Sequence, residues 1–265
     1  MQTRDKNSLP WGAHLARGNM RLAHIHHQFG RNIACGSSYV PVSDNGVYMT
    51  PQATAPVQLR VKAGGNANDT ADGSGARSVK LWGINALGDE VTEVISTAGA
   101  SASDATTNSF IRLYHVEVYQ SGTYGTQAVG SHSGNIVIED SSGNDDWAEI
   151  LLNGFPSAAT CIGSMTIPRN HVGLISSVKI CADTKGNKVM DVLLMQRSGI
   201  LETSAPYQPI KKIQEFIGVD GAIEMNFDVP FRLAELTDIG VLAKSSTGTN
   251  AISVDMEVII LEAES

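Results

Sequence analysis

Along most of the chain beyond residue 55, apolar and polar positions alternate with the period of two that puts one face of a strand in a core and the other in water. Ile252, Val254, Met256, Val258 and Ile260 form one such row, opposed at first by Ser253, Asp255 and Glu257. Ile223, Met225 and Phe227 form another, opposed by Glu224 and Asn226. Shorter β-type runs cover 57–62, 77–84, 90–96, 110–119, 136–139, 172–182 and 188–196, separated by clusters of Gly, Ser, Asn and Asp. The turn at Leu87-Gly88-Asp89 predicts a hairpin between 77–84 and 90–96, and Thr184-Lys185-Gly186-Asn187 predicts a second between 172–182 and 188–196. Residues 210–218 fit two periods, because Ile210, Ile213 and Ile217 also match helical spacing. The following Asp220-Gly221, between two apolar runs, favours a strand and a type I′ hairpin there. Roughly ten to twelve strands, with no long helix, predict an all-β fold: an antiparallel β-sandwich or jelly-roll-like body spanning 56–265. Alternating strand and helix units are absent, which argues against a Rossmann-like sheet.

Residues 1–55 show no sustained period and are interrupted by Pro10, Pro41 and Pro51, so they read as an extended N-terminal arm. Residues 1–31 carry Arg4, Lys6, Arg17, Arg21 and Arg31 against Asp5 alone, a net charge of +4 in a chain whose total is −8. Such asymmetry fits an arm that docks on an acidic surface, although a solvated terminus would look the same. Its apolar residues Trp11, Leu15 and Phe29 need the body or a neighbouring subunit to cover them. Deleting residues 1–31 is therefore expected to leave a folded body that no longer docks.

Composition narrows the class further. With 42% hydrophobic residues, 17% charged residues and 26 glycines, the chain is too apolar for general disorder. No stretch approaches the eighteen or so consecutive apolar residues of a membrane helix, and the first thirty residues lack a signal-peptide pattern. Cys35, Cys161 and Cys181 are odd in number and show no C-x-x-C spacing, so they read as buried thiols.

Candidate chemistry is sparse. Asp72-Gly73-Ser74-Gly75-Ala76-Arg77 lacks the Lys-Ser/Thr ending and the following helix of a phosphate loop, and reads as a strand-entry turn. His24-Ile25-His26-His27 places His24 and His26 on one face of an extended chain, but no acidic or cysteine partner lies nearby in sequence. No metal site is assigned, and no cofactor. The acidic loops starting at Asn68 and Asp140 both fail the EF-hand register, leaving only a looser calcium site to weigh against ordinary turns. No G-x-S-x-G or activated nucleophile appears, and Asp145, Asp146 and Glu149 have no flanking glycosidase pattern. A non-enzymatic protein is the expectation.

Four blocks in order resemble a family of marine bacteriophage virion proteins. Ala16-Arg17-Gly18-Asn19 with His26-His27-Gln28-Phe29-Gly30-Arg31-Asn32 is similar to A-x-G-N…V-H-K-F-G-R-N, with Gln28 replacing the lysine. Residues 69–79 are similar to D-T-S-A-G-T-G-A-R-T-V, residues 83–93 to G-L-D-A-x-x-x-E-x-x-E, and Thr107-Asn108-Ser109-Phe110-Ile111-Arg112 to T-N-S-F-x-R. Met165-Thr166-Ile167-Pro168 resembles Y-T-V-P, with Arg169-Asn170 in place of an A-G turn. The resemblance implies a virion β-sandwich protein made in the bacterial host's cytoplasm. A rigid sandwich, an acidic body and a reaching arm favour capsid decoration, with the protein docking on the major capsid protein as a cement, and trimeric by architecture. The docking residues would be Trp11, Leu15, Arg17, Arg21, His26, Phe29 and Arg31. Neither a membrane nor a specific nucleic acid is an expected partner. The alternative is a tail, collar or fibre adhesin that stacks host glycan on Tyr124 and Trp147, although core or subunit-interface packing would equally account for Trp147.

Overall fold

The computed structural model describes residues 11–18, 20, 23–44, 55–125, 130–152, 158–183, 188–202 and 204–263. Among them are one short helix, α1 (Trp11–Ala16), and fifteen strands. In chain order these are β1 (Ala23–Cys35), β2 (Val40–Pro41), β3 (Leu59–Val61), β4 (Ala76–Asn85), β5 (Glu90–Ser96), β6 (Phe110–Ser121), β7 (Ile136–Asp140) and β8 (Asp146–Ile150). They continue with β9 (Ser164–Thr166), β10 (His171–Asp183), β11 (Met190–Ser198), β12 (Lys211–Val219), β13 (Ala222–Leu233), β14 (Thr237–Ser245) and β15 (Asn250–Glu262). The fold is all-β and antiparallel, as the two-residue period predicts.

Eight of these strands pair first with last. β1 pairs with β15, β2 with β14, β10 with β13, and β11 with β12. A long antiparallel ribbon wrapped on itself in this order yields two four-stranded sheets, β1-β15-β10-β13 and β12-β11-β14-β2, with β9 continuing beside β14. That pairing is the jelly roll. Its core takes the inward row Ile252, Val254, Met256, Val258 and Ile260 of β15 against Val192, Leu194, Ile239 and Val241 of the facing sheet.

The chain leaves the jelly roll after β2 and returns at β9, on the same edge of β14. Between them, β3 to β8 build a second, smaller sandwich from the sheets β5-β4-β6 and β3-β7-β8. Leu59, Leu81, Phe110, Ile138, Trp147 and Ile150 fill its separate core. The β-body read as one sandwich is thus two stacked sandwiches.

Bulges in β6 join them. Trp82 pairs with His115 but Gly83 with Leu113, and Ile84 pairs with Arg112 but Asn85 with Phe110, so Tyr114 and Ile111 are extra residues in the strand. A bulge re-aims side chains, and both extra residues turn away from the small core into the jelly-roll core, beside Ile84. Between them Arg112, fully buried, reaches Asp238 of β14 through two nitrogens at 3.0–3.1 Å. Thr166 of β9 donates to the same carboxylate at 2.6 Å.

Three expectations need correction. Residues 1–55 are not an arm throughout: β1 is a 13-residue strand of the jelly roll paired along β15, and β2 pairs with β14. Its odd–even pattern was obscured because Gln28, Gly30 and Asn32 point inward instead of aliphatic side chains. Gly30 is required where β1 crosses residue 163, since a Cβ there would stand 2.3 Å from Gly163 Cα. Deleting residues 1–31 would therefore remove most of a sheet strand rather than a tether. The predicted hairpins at 184–187 and 220–221 also fail, because β10 and β13 lie in one sheet and β11 and β12 in the other. Asp220-Gly221 is a corner between sheets, and residues 184–187 lie outside the described residues. Finally, Cys35 is buried and Cys161 half-buried as expected, but Cys181 is exposed.

Candidate functional site

Two regions stand out: the joint between the sandwiches, and the flank formed by β12 and β13.

At the joint, His24 and His26 project from the same face of β1, their rings 5.0 Å apart and inclined at 62°. The turn at 85–89 brings Glu90, the first residue of β5, beside them. That turn is fixed locally, because Asn85 Oδ1 accepts the amides of Leu87 and Asp89 and Gly88 adopts a positive φ of 86°. It is also fixed to the jelly roll, since the Arg169 amide donates to the Gly88 carbonyl at 2.8 Å. One ligand-type atom from each of His24, His26 and Glu90 lies within 4.8 Å of the others. Tyr114 Oη donates a short hydrogen bond to Glu90 Oε1, and its ring lies edge-on to His26. Burial holds the His26 pKa below the ordinary imidazole value; the nearby Glu90 charge opposes this, and His24, His115 and His27 reinforce it. Burial likewise depresses His115, against the pull of Glu117. Gln28, two residues on, donates from Nε2 to the carbonyls of Tyr114 and Ile162 at 3.1 and 2.6 Å. Gln28 is thus a buried pin at the joint.

The residues assigned to docking divide into separate groups. Leu15 is 3% exposed and packs with Ala23 and Ile259 under α1, so it is not available to an outside partner. Arg17 is exposed, and His26 belongs to the joint. Phe29 and Arg31 point outward from β1 and line a shallow cleft with Cys181, Asp183 and Ser253. Arg21 and the Trp11 side chain lie outside the described residues. Among the described residues of the set, the structure brings together only Phe29 and Arg31.

The acidic loops are internally satisfied. Asp69 accepts the amides of Ala76, Ser133 and Gly134 at 2.7–3.0 Å, and so organises the glycine-rich loop. Asp140 accepts those of Ser142 and Asp145 at 2.7 and 3.0 Å. Although burial works the other way, amides from residues 142–145 hold its carboxyl below the usual range. Of the proposed sugar-stacking pair, Tyr124 is 88% exposed, but Trp147 is 2% exposed in the small core and cannot present a ring to a glycan.

The β12/β13 flank was not picked out from the sequence. β12 and β13 are the outer strands of their respective sheets, joined by the corner at 220–221. Along the 12 residues of β13 only Leu233 is buried. Val229 is 82% exposed and Ile217 of β12 is 76% exposed, with Ile210 and Ile223 also open. Of the row predicted to face inward over 222–227, Met225 and Phe227 are only half-covered and Ile223 is exposed. β13 is bulged rather than flat, since residues 227–230 lie opposite Ser176 alone, and its exposed apolar side chains, Val229 above all, stand where no strand of this chain covers them. Nothing local in the sequence reveals which strand stands last in a sheet.

No helix among the described residues is long and apolar enough to cross a membrane. No family model matches the chain, and no curated protein matches it. Among solved structures, the chain is similar to the Gx strain structure of infectious bursal disease virus, at 7% identity and a TM-score of 0.22, covering 92% of this chain and 78% of that one. It is also similar to the VP2 subviral particle of infectious bursal disease virus, at 10% identity and a TM-score of 0.22, covering 92% of this chain and 77% of that one. Likeness this faint carries no argument about what the protein does.

Proposed function

We propose that the protein is a structural component of a bacteriophage virion, a capsid decoration protein that associates through its β12/β13 flank with further copies of itself and docks on the major capsid protein. The observation that carries this reading is the flank. A 12-residue edge strand with one buried residue, continued by the exposed Ile217, is covered when a neighbouring copy packs on it. The jelly-roll order of strands, an architecture shared by capsid proteins and lectins, and the resemblance of the four sequence blocks both support the assignment. Arg17, Phe29 and Arg31, with Trp11 and Arg21, form the proposed contact to the shell. The proposal includes a cement role, a trimer, and location in the virion after synthesis in the bacterial host.

The test pairs light scattering with particle binding. Purified protein is expected to run as an oligomer, and Val229→Lys, which places a charge on the open edge without touching the core, is expected to shift it to monomer. Wild-type protein should co-sediment with phage heads. A protein that stays monomeric at all concentrations and never associates with particles would refute the proposal.

A further inference from the structure

We propose that His24, His26 and Glu90 form a binding site for a divalent transition-metal ion of the zinc class, which clamps the inserted sandwich to the first strand of the jelly roll. Two imidazoles and one carboxylate are a ligand set that zinc accepts, with a fourth position left to water. The geometry is close to that required. Ligand atoms around a tetrahedral zinc stand about 3.3 Å apart, and one from each of the three residues already lies within 4.8 Å of the others. His24 is exposed, so small χ rotations of its side chain would close the gap.

Each ligand has a reason to be where it is. His24 and His26 are two residues apart on β1, so the pleat places both on one face. Glu90 arrives from the other sandwich, on a turn locked by Asn85 and tied to Arg169. Tyr114, the bulged residue of β6, donates to Glu90 Oε1. That outer hydrogen bond orients the carboxylate, the role outer partners play in known metal sites. An ion held there would bridge segments 64 residues apart in sequence, a link that binds the folded state only and so adds to its stability.

The experiment uses the full chain, stripped of metal by chelation. Titration with Zn²⁺ alone is expected to show one saturable site per chain and a rise in melting temperature that EDTA reverses. Co²⁺ is expected to give the visible absorption of a four-coordinate ion. Glu90→Gln should weaken Zn²⁺ at least about ten-fold, and His24→Asn should do the same, while both variants keep the metal-free melting temperature near that of the wild type. His27→Gln, on the opposite face of the strand, should leave binding unchanged. Absence of a saturable site would overturn the proposal. So would full binding by Glu90→Gln, which would reduce the site to a surface histidine pair.

Discussion

Arg112 and Asp238 are both fully buried and meet through two guanidinium nitrogens, one charge from each sandwich. Removing one partner leaves an uncompensated charge in the interior, so Asp238→Ala is expected to cost roughly 3–5 kcal/mol in a urea melt. Replacing both, Arg112→Met with Asp238→Leu, should recover much of that loss, because a well-packed apolar pair carries no desolvation penalty. A single substitution costing under about 1 kcal/mol would contradict the geometry. Asp44 makes a second residue-scale case. Burial lifts its pKa to about 6, helped by Glu149 and opposed by its hydrogen bonds with Cys161 and by Arg31, while burial and Asp44 push the Cys161 thiol up to about 12. Between the unfolded value of 3.8 and about 6, the folded state holds a proton that the unfolded state has released, so stability falls as pH rises through that window and is level above it. The gap corresponds to about 3 kcal/mol as an upper bound. Asp44→Asn keeps an acceptor for the Cys161 amide, and is expected to flatten the melting temperature between pH 4 and about 6 and to stabilise the protein at pH 7. An unchanged pH profile would show that Asp44 is ionised in the fold.

At the scale of elements, strands were legible wherever one face was apolar, as in β15 and in β12, whose competing helical spacing yielded to the strand. β1 was not, because its inward positions are Gln28, Gly30 and Asn32, which are satisfied by hydrogen bonds or close backbone packing instead of by aliphatic burial. Its structural weight is testable. Deleting residues 1–31 bares the hydrogen-bonding edge of β15 and removes the Gln28 pin, and is expected to abolish cooperative unfolding monitored by circular dichroism. A truncated protein with an unchanged melt would mean that β1 is an accessory strand. Turn chemistry misled for a related reason: Asp220-Gly221 does reverse the chain, but the strands it joins enter different sheets. A tight turn fixes direction locally, whereas pairing is chosen by the partners that β10 and β11 already offer.

For the whole molecule, a few side chains in the turns and at the joint tie the fold together. Glu93 of β5 accepts the amides of Thr107 and Asn108, at 2.6 and 2.9 Å. Asp69 anchors the glycine loop, and a Cβ on Gly75 would stand 2.1 Å from its Oδ1. Phe110 fills the small core while Arg112 crosses to the jelly roll. Of the joint, the sequence offered only the histidine pair on one face of a strand. Glu90, which completes the cluster, carries no local mark of that role.

Period, turn residues and composition were enough to determine an antiparallel all-β protein, because alternation and turn geometry act over a few neighbouring residues. The division into two sandwiches, the open β12/β13 edge and the meeting of His24, His26 and Glu90 were decided by the tertiary structure alone. Each depends on contacts between residues far apart in the chain, and such pairing depends on how whole sheets stack rather than on any local pattern.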